Sequence, residues 1–318
     1  MFSRQLSFFS AVSLTTVITV LFHGAWVAAQ PVVEAPKEAI ATLNWFQGIV
    51  LGFIQGLTEF LPISSTAHLK IIPLALGWGD PGVAYTAVIQ LGSIAAVIWY
   101  FWQDLSQITL GMIQAIQTKQ YDSLEFKLSL GIGLGTIPIV LFGLLLKIFV
   151  SDLDNSPLRS LTTIAIASIV MSLLLALAEK LGTHRRQFEK LRWQDGVTMG
   201  LAQAMAIIPG VSRSGSTLTA GLFINLERAT AARFSFLLGI PAITLAGLLE
   251  LKDAFKAGFS GTTVLPLVLG VISAAVFSYL SIAWLLEFLK KQSTWVFVWY
   301  RLVFGILILV FSGFLSRS

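Results

Sequence analysis

The chain has 318 residues, of which 56% are hydrophobic and only 12% charged, and its mean hydropathy is +0.82. A soluble domain carries about 25% charged residues, so this composition excludes a water-soluble globule and points to a membrane rather than to nucleic acid. Cysteine is absent, which excludes disulfides, thiolate catalysis and cysteine-bound zinc. The net charge of +5 is better explained by its placement in loops than by an anionic partner.

In chain order, Arg4 precedes an apolar run over 6–25, and Val27-Ala28-Ala29-Gln30 puts small residues where a signal peptidase would cut. Residues 1–29 therefore read as a signal peptide, or else as an uncleaved N-terminal anchor. Residues 30–44, with Pro31 and Pro36, read as a linker. A bilayer core needs about 20 apolar residues per helix. Six stretches qualify as spans: 83–102, 129–146 (with Lys147 just beyond it), 161–178, 234–249, 257–286, and 292–316, which contains Arg301. Trp99 to Trp102 and Tyr121 read as interface anchors. Two further apolar regions, 44–77 and 196–226, are broken by proline and glycine. Eleven Lys and Arg residues fall in one set of loops, among them Lys127, Arg185, Arg186, Arg192, Arg228 and Lys291, against five in the opposite set. The richer set is expected on the cytoplasmic side. That leaves the mature N-terminus and the C-terminus outside.

The two broken regions resemble each other. Ungapped, Gly52 meets Gly200, Gln55 meets Gln203 and Ser64 meets Ser212, with the prolines, Pro62 and Pro209, offset by one. Each region is followed by a span with a Leu-Gly step, Leu91-Gly92 and Leu238-Gly239. Three spans separate the copies, so they enter from opposite faces. Inverted repeats with interrupted helices place their polar site near the bilayer midplane. Leu61, before Pro62, is pushed out of helical geometry, and Ser64, Ser65 or Thr66 can cap a following helix starting near Ala67. Pro209-Gly210 ends the other helix, with Ser212, Ser214 or Ser216 as caps. The expected fold is all-α: six transmembrane helices plus two re-entrant hairpins in an inverted-topology repeat, with halves at about 45–178 and 193–318. The half-helix N-termini at the tips would offer an anion site.

Glu59, Ser64, Ser65, Thr66 and His68 lie within ten residues, and Ser212, Arg213, Ser214 and Thr217 occupy the facing tip. Charge inside a membrane segment is costly and usually functional. The set suits hydrolysis of a phosphate ester or diphosphate. Arg213 offers a planar fork matched to phosphate oxygens, serine hydroxyls and helix N-termini can offset developing charge, and His68 can exchange a proton near neutral pH. Glu59 could act as general base or divalent-metal ligand. Plainer readings exist: Glu59 and Arg213 simply pair, the hydroxyls only cap helices, and His68 only packs. Lys70 sits near the site or snorkels outward, and Arg301 pairs with a buried acid or a lipid phosphate. His23 and His184 receive no role. These residues alone do not separate a transporter from a hydrolase.

The stretch Gly56-Leu57-Thr58-Glu59-Phe60-Leu61-Pro62-Ile63-Ser64-Ser65-Thr66-Ala67-His68 resembles the first signature of the undecaprenyl-diphosphate phosphatase family, associated with bacitracin resistance. Pro209-Gly210-Val211-Ser212-Arg213-Ser214-Gly215 resembles its second. Val88-Ile89-Gln90-Leu91-Gly92-Ser93, Phe234-Ser235-Phe236-Leu237-Leu238 and Tyr300-Arg301 also match, so the resemblance runs from about Trp45 to the C-terminus. It implies a membrane phosphatase domain over 45–318 that removes the terminal phosphate of undecaprenyl diphosphate. That reaction regenerates the carrier lipid for peptidoglycan and other envelope polymers. It also implies a multi-pass protein of the bacterial inner membrane with its site facing outward, a polyprenyl diphosphate lipid as partner and a divalent cation, Mg2+ or Ca2+; a homodimer is compatible with it. By position, Glu59, Ser65, His68 and Arg213 correspond to the catalytic residues. Ser64, Thr66, Ser212, Ser214, Thr217 and Arg301 fall to phosphate binding, and Glu59 with Gln55 to the metal. The attacking group is Ser65 or water.

Two departures stand out. Many members carry a second glutamate where this chain has Gln55, which brings a carbonyl oxygen but no negative charge. Ala67 replaces a common glycine, which is harmless if the position is helical and strained if it needs positive φ. The acid-phosphatase-like lipid phosphatases need a second catalytic histidine downstream, and no histidine follows His184. The rival to a hydrolase is a transporter or flippase of polyprenyl phosphate, which needs a charge clamp but no general acid.

Overall fold

In the computed structural model, which describes residues 43–149, 156–257 and 264–315, the regular elements are α-helices and short 3-10 turns, with no β-strand among the described residues. The expected leader, 1–29, and the linker up to residue 42 lie outside the described residues. The α-helices are α1 (Trp45–Phe60), α2 (Ser65–Ala75), α3 (Gly82–Tyr100), α4 (Trp102–Thr118), α5 (Leu124–Phe149), α6 (Leu161–Leu181), α7 (Trp193–Ala204), α8 (Arg213–Phe223), α9 (Arg228–Ala257), α10 (Val264–Lys291) and α11 (Trp295–Leu315).

Six helices, α3, α5, α6, α9, α10 and α11, are long and apolar enough to cross a membrane, and each overlaps one of the six stretches read from the sequence, though α10 starts at Val264 rather than at 257. Their outward faces carry Ile137, Leu141, Leu173, Leu280, Val303 and Leu307, each more than half exposed. Large unpartnered apolar faces of this kind suit lipid and not water.

The broken regions form two helix–break–helix units, α1–α2 and α7–α8. Their helices have 16 and 11 residues in the first unit and 12 and 11 in the second, so none spans a bilayer alone. Asn44 starts α1 through a reciprocal capping box with Gln47. Leu61 ends it in extended geometry, φ −67° and ψ 143°, because Pro62 follows. The helix expected near Ala67 starts two residues earlier, at Ser65, so Ala67 is helical and carries no positive φ. The left-handed backbone falls instead on Ser64 (φ 74°) and Ser212 (φ 70°), the residues paired by the ungapped alignment.

Glycine decides how these units seat. In lipid, helices associate by packing rather than by water exclusion, and small residues let backbones close up. Gly48, Gly52 and Gly56, one turn apart on α1, face Pro266, Gly270 and Ala274 of α10. A Cβ on Gly52 would stand 2.8 Å from the Cβ of Ser273. On the other unit, Gly196 and Gly200 of α7 face Gly131 and Gly135 of α5. α6 packs along α11, and α3 lies between α9 and α10.

The sequence reading found anchors at both ends of α4 but no helix between them. α4 is too polar to span; it buries Ile108 and Ala115 and turns Leu110, Ile113 and Ile116 outward. Trp99, Trp102 and Tyr121 are all exposed, as interface anchors must be.

Candidate active site

The two breaks meet. Ser214, in the first turn of α8, donates from its hydroxyl to the carbonyl of Leu61 at 2.9 Å, which locks the second tip onto the first. Arg301 completes the joint from α11. Its guanidinium donates to the carbonyls of Pro62 (3.0 Å), Gly210 (2.7 Å) and Val211 (3.0 Å), with a longer contact to Ser168 (3.4 Å). Arg301 is 1% exposed. Among the described residues its partners are backbone carbonyls and not the acid that the sequence offered as one alternative. Breaking two helices at depth creates carbonyls without intrahelical partners, and a buried guanidinium satisfies several of them at once.

Glu59 lies at the centre of the site. Its Oε2 accepts from Ser65 Oγ at 2.7 Å and from Gln55 Nε2 at 3.1 Å, and its Oε1 lies 3.6 Å from an Arg213 nitrogen. Gln55 and Glu59 are four apart on α1 and therefore share a face. Behind Gln55, Ser93 of α3 and Ser278 of α10 extend a buried chain of hydroxyls, with Ser278 donating to Ser93 at 2.8 Å.

Arg213 is the first residue of α8. It faces Glu59 at ion-pair distance, and its Nε and both terminal nitrogens are buried without a hydrogen-bond partner among the described residues. A guanidinium carries five donors, and leaving them unmade in a buried place is costly. Gly239 makes the room, because a side chain there would collide with the guanidinium. The result is a cation with unmade bonds beside a carboxylate already served by Ser65 and Gln55.

His68, one turn beyond Ser65 on α2, is not bonded to it. Its Nδ1 meets the Ser64 carbonyl at 2.8 Å and its Nε2 meets the Tyr300 hydroxyl at 2.6 Å. The ring stacks on Phe304 at 4.3 Å. Tyr300 was read only as part of a matching pair with Arg301. Its spacing of four from Phe304, facing a polar tip, was the available signal.

The remaining expected ligands divide. Thr66 is exposed, beside Ser64 Oγ at 3.3 Å. Ser212 caps α8 by accepting from Gly215 N, whereas Ser64 makes no such cap bond. The Thr217 hydroxyl is spent on the Arg213 carbonyl and on Ser235, so it braces α8 against α9. Lys70 points away from this centre and lies 3.6 Å from Asp80, which Arg159 also approaches.

No group of three or more His, Asp or Glu gathers among the described residues. Glu59 with Gln55 gives one carboxylate and one amide. That suits a hard cation such as Mg2+ only where substrate phosphates complete its oxygen shell, which is that ion's habit.

The family model for bacitracin resistance protein BacA matches residues 48–307. The chain belongs to that family. It is 70% identical to an undecaprenyl-diphosphatase of Synechocystis sp. over 98% of both chains. It is 62% identical to one of Trichormus variabilis, covering 100% of this chain and 99% of the relative. A third, from Trichodesmium erythraeum, is 57% identical over 98% of this chain and its own full length. The match takes in both tips and α11 as far as residue 307, so the whole site lies inside the family's common region.

Proposed function

We propose that this protein is an undecaprenyl-diphosphatase, which hydrolyses undecaprenyl diphosphate to undecaprenyl phosphate and inorganic phosphate and so recycles the carrier lipid of cell-envelope synthesis. The observation that carries this reading is Arg213: a buried guanidinium with unmade hydrogen bonds, 3.6 Å from a carboxylate that holds a serine hydroxyl. A diphosphate supplies the missing acceptors, and Arg is the side chain whose fork matches them.

Ser65 is the attacking group favoured by the hydrogen bonding. Its hydroxyl already donates to Glu59 at 2.7 Å, the contact a general base needs. As the Ser65 oxygen bonds the terminal phosphorus, its proton passes to Glu59 and the bridging P–O bond breaks. Undecaprenyl phosphate leaves with the bridging oxygen. Water then attacks the phosphoserine and releases inorganic phosphate. Arg213 and the free N–H groups at the start of α2 offset charge on the phosphate oxygens throughout.

Glu59, and Gln55 once its amide turns its carbonyl inward, would hold a Mg2+ or Ca2+ ion together with the diphosphate. Such an ion would neutralise part of the phosphate charge.

We read α1–α2 and α7–α8 as re-entrant hairpins of an inverted repeat, supported by the paired left-handed serines Ser64 and Ser212 and the paired glycines Gly52 and Gly200. The basic loop set lies on the cytoplasmic side of the inner membrane, so the tip of α1–α2 opens outward.

The test is phosphate release from undecaprenyl diphosphate by purified protein, with and without EDTA, beside His68→Ala and Arg213→Ala. Metal-dependent release lost in both variants supports the reading as written, while release that survives EDTA removes the ion and keeps the chemistry. No release from well-folded protein overturns it in favour of lipid transport.

A further inference from the structure

Ser65 has its base in Glu59, which leaves His68 without an obvious partner in the chemistry. The imidazole is 2% exposed and both nitrogens are occupied. The carbonyl of Ser64 can only accept, so Nδ1 must carry the proton. In the neutral ring Nε2 is then a lone pair, and the Tyr300 hydroxyl donates into it. The plane of the ring is fixed separately, by stacking on Phe304 with an interplanar angle of 12°. Phe304 also stacks with Tyr300, four residues earlier on α11. Phe304 therefore sets the plane of the ring, the Ser64 carbonyl sets the proton on Nδ1, and the phenol hydroxyl occupies the Nε2 lone pair that remains.

Tyr300 is also placed to connect His68 with the outside of the bundle. It is 44% exposed, and the next residue, Arg301, ties α11 to both tips. A shift of the tips thus moves the Tyr300 hydroxyl with His68 instead of away from it.

We propose that Tyr300 is a positioning residue for the phosphatase reaction. Its hydroxyl donates to the Nε2 lone pair that the Ser64 carbonyl leaves on the ring, and so handles the proton that the imidazole takes up or releases beside the phosphate bound at Ser65. Ser65 and His68 are three residues apart on α2 and so share a face. The inference rests on the hydrolase reading.

Tyr300→Phe isolates the hydroxyl, because the phenyl ring keeps the stack on Phe304. In the full-length protein in detergent, kcat for phosphate release should fall roughly 10- to 100-fold, part of the usual acid–base contribution. KM should stay near the parent value, since the phosphate ligands are untouched. Nitrogen NMR with 15N-histidine gives a readout independent of turnover. The chain has three histidines, and His68→Gln assigns the signal. The parent should show a single protonated Nδ1 and an unprotonated Nε2. Tyr300→Phe should keep the Nδ1 proton, which the Ser64 carbonyl holds, but shift the Nε2 resonance, which loses its donor, with an unchanged melting temperature.

A Tyr300→Phe variant with parental kcat and a parental His68 spectrum overturns the proposal, as does a lower kcat with an unchanged spectrum. If the parent protein itself releases no phosphate, the function fails first, and the NMR arm still reports whether Tyr300 donates to Nε2.

Discussion

Arg301→Lys separates two uses of one buried charge. In the structure three of its hydrogen bonds, at 2.7–3.0 Å, end on carbonyls of two different chain breaks. A bond from a charged donor contributes about 1.5–3 kcal/mol. Lysine keeps the charge but is a point donor on a flexible stem, able to serve Pro62 or the Gly210–Val211 pair and not both. One to two bonds are then lost, or about 2–5 kcal/mol, and at least one carbonyl is left buried and unpaired. In a chain of this size that is a fall in melting temperature of roughly 3–8 °C. The tips would also lose their fixed spacing, so kcat should drop with stability. The assays are thermal unfolding in detergent and phosphate release at saturating lipid. If Arg301 instead holds substrate phosphate, as the sequence suggested, the lysine variant will melt like the parent and show a raised KM with little loss of kcat. That outcome refutes the clamp.

Two further outcomes follow from neighbouring geometry. Gln55→Glu puts a second carboxylate about where the amide now lies, 3.1 Å from Glu59 Oε2; like charges this close need a cation between them. EDTA should therefore remove a larger share of phosphate release from the variant than from the parent, and an equal loss would argue against a cation at Glu59. Gly52→Ala drives a methyl into the backbone of Gly270 and should destabilise by about 1–3 kcal/mol. Gly143→Ala, with open space around it, should gain up to about 1 kcal/mol of helix propensity. Parallel melting curves decide this pair, and equal shifts would discard the close-packing account of α1 on α10.

The spans were legible because twenty apolar residues without charge have few alternatives, and the breaks were legible because Pro62 and Pro209-Gly210 interrupt such runs. Glu59, Ser65 and Arg213 could be picked out as polar residues that a membrane would otherwise reject. What the sequence hid were contacts between distant segments. Arg301 is 239 residues from Pro62, and nothing local to either says that one serves the other. Tyr300 lies 232 residues from His68, and its own neighbourhood marks it only as half of the Tyr300-Arg301 pair. The hydroxyl partners were hidden for the same reason: Thr217 and Ser214 sit in a motif beside Arg213, and their bonds go to backbone, to Ser212 and to Ser235. α4 escaped because its apolar stripe is narrow and interrupted by glutamine.

Under the proposed repeat, the two breaks share backbone features while their side chains differ. The alignment that sets Gly52 against Gly200 and Ser64 against Ser212 also sets Pro62 against Gly210, and those are two of the carbonyls that Arg301 holds. Equivalent points of the two breaks are thus tied to one cation. Along the same alignment, Glu59 meets Ile207, Ser65 meets Arg213 and His68 meets Ser216. One copy carries base, serine and imidazole, and the other carries the phosphate-seeking guanidinium. Gln55 is bonded within the site, whereas Gln203, its counterpart, is wholly buried with both amide atoms unpartnered among the described residues. A carrier working by exchange of equivalent halves gains from equivalent ligands on each side. Here the halves are not interchangeable, because Glu59, Ser65 and His68 lie on one and Arg213 on the other. The inequality of the two tips, more than any single residue, argues for a reaction completed on one side of the membrane.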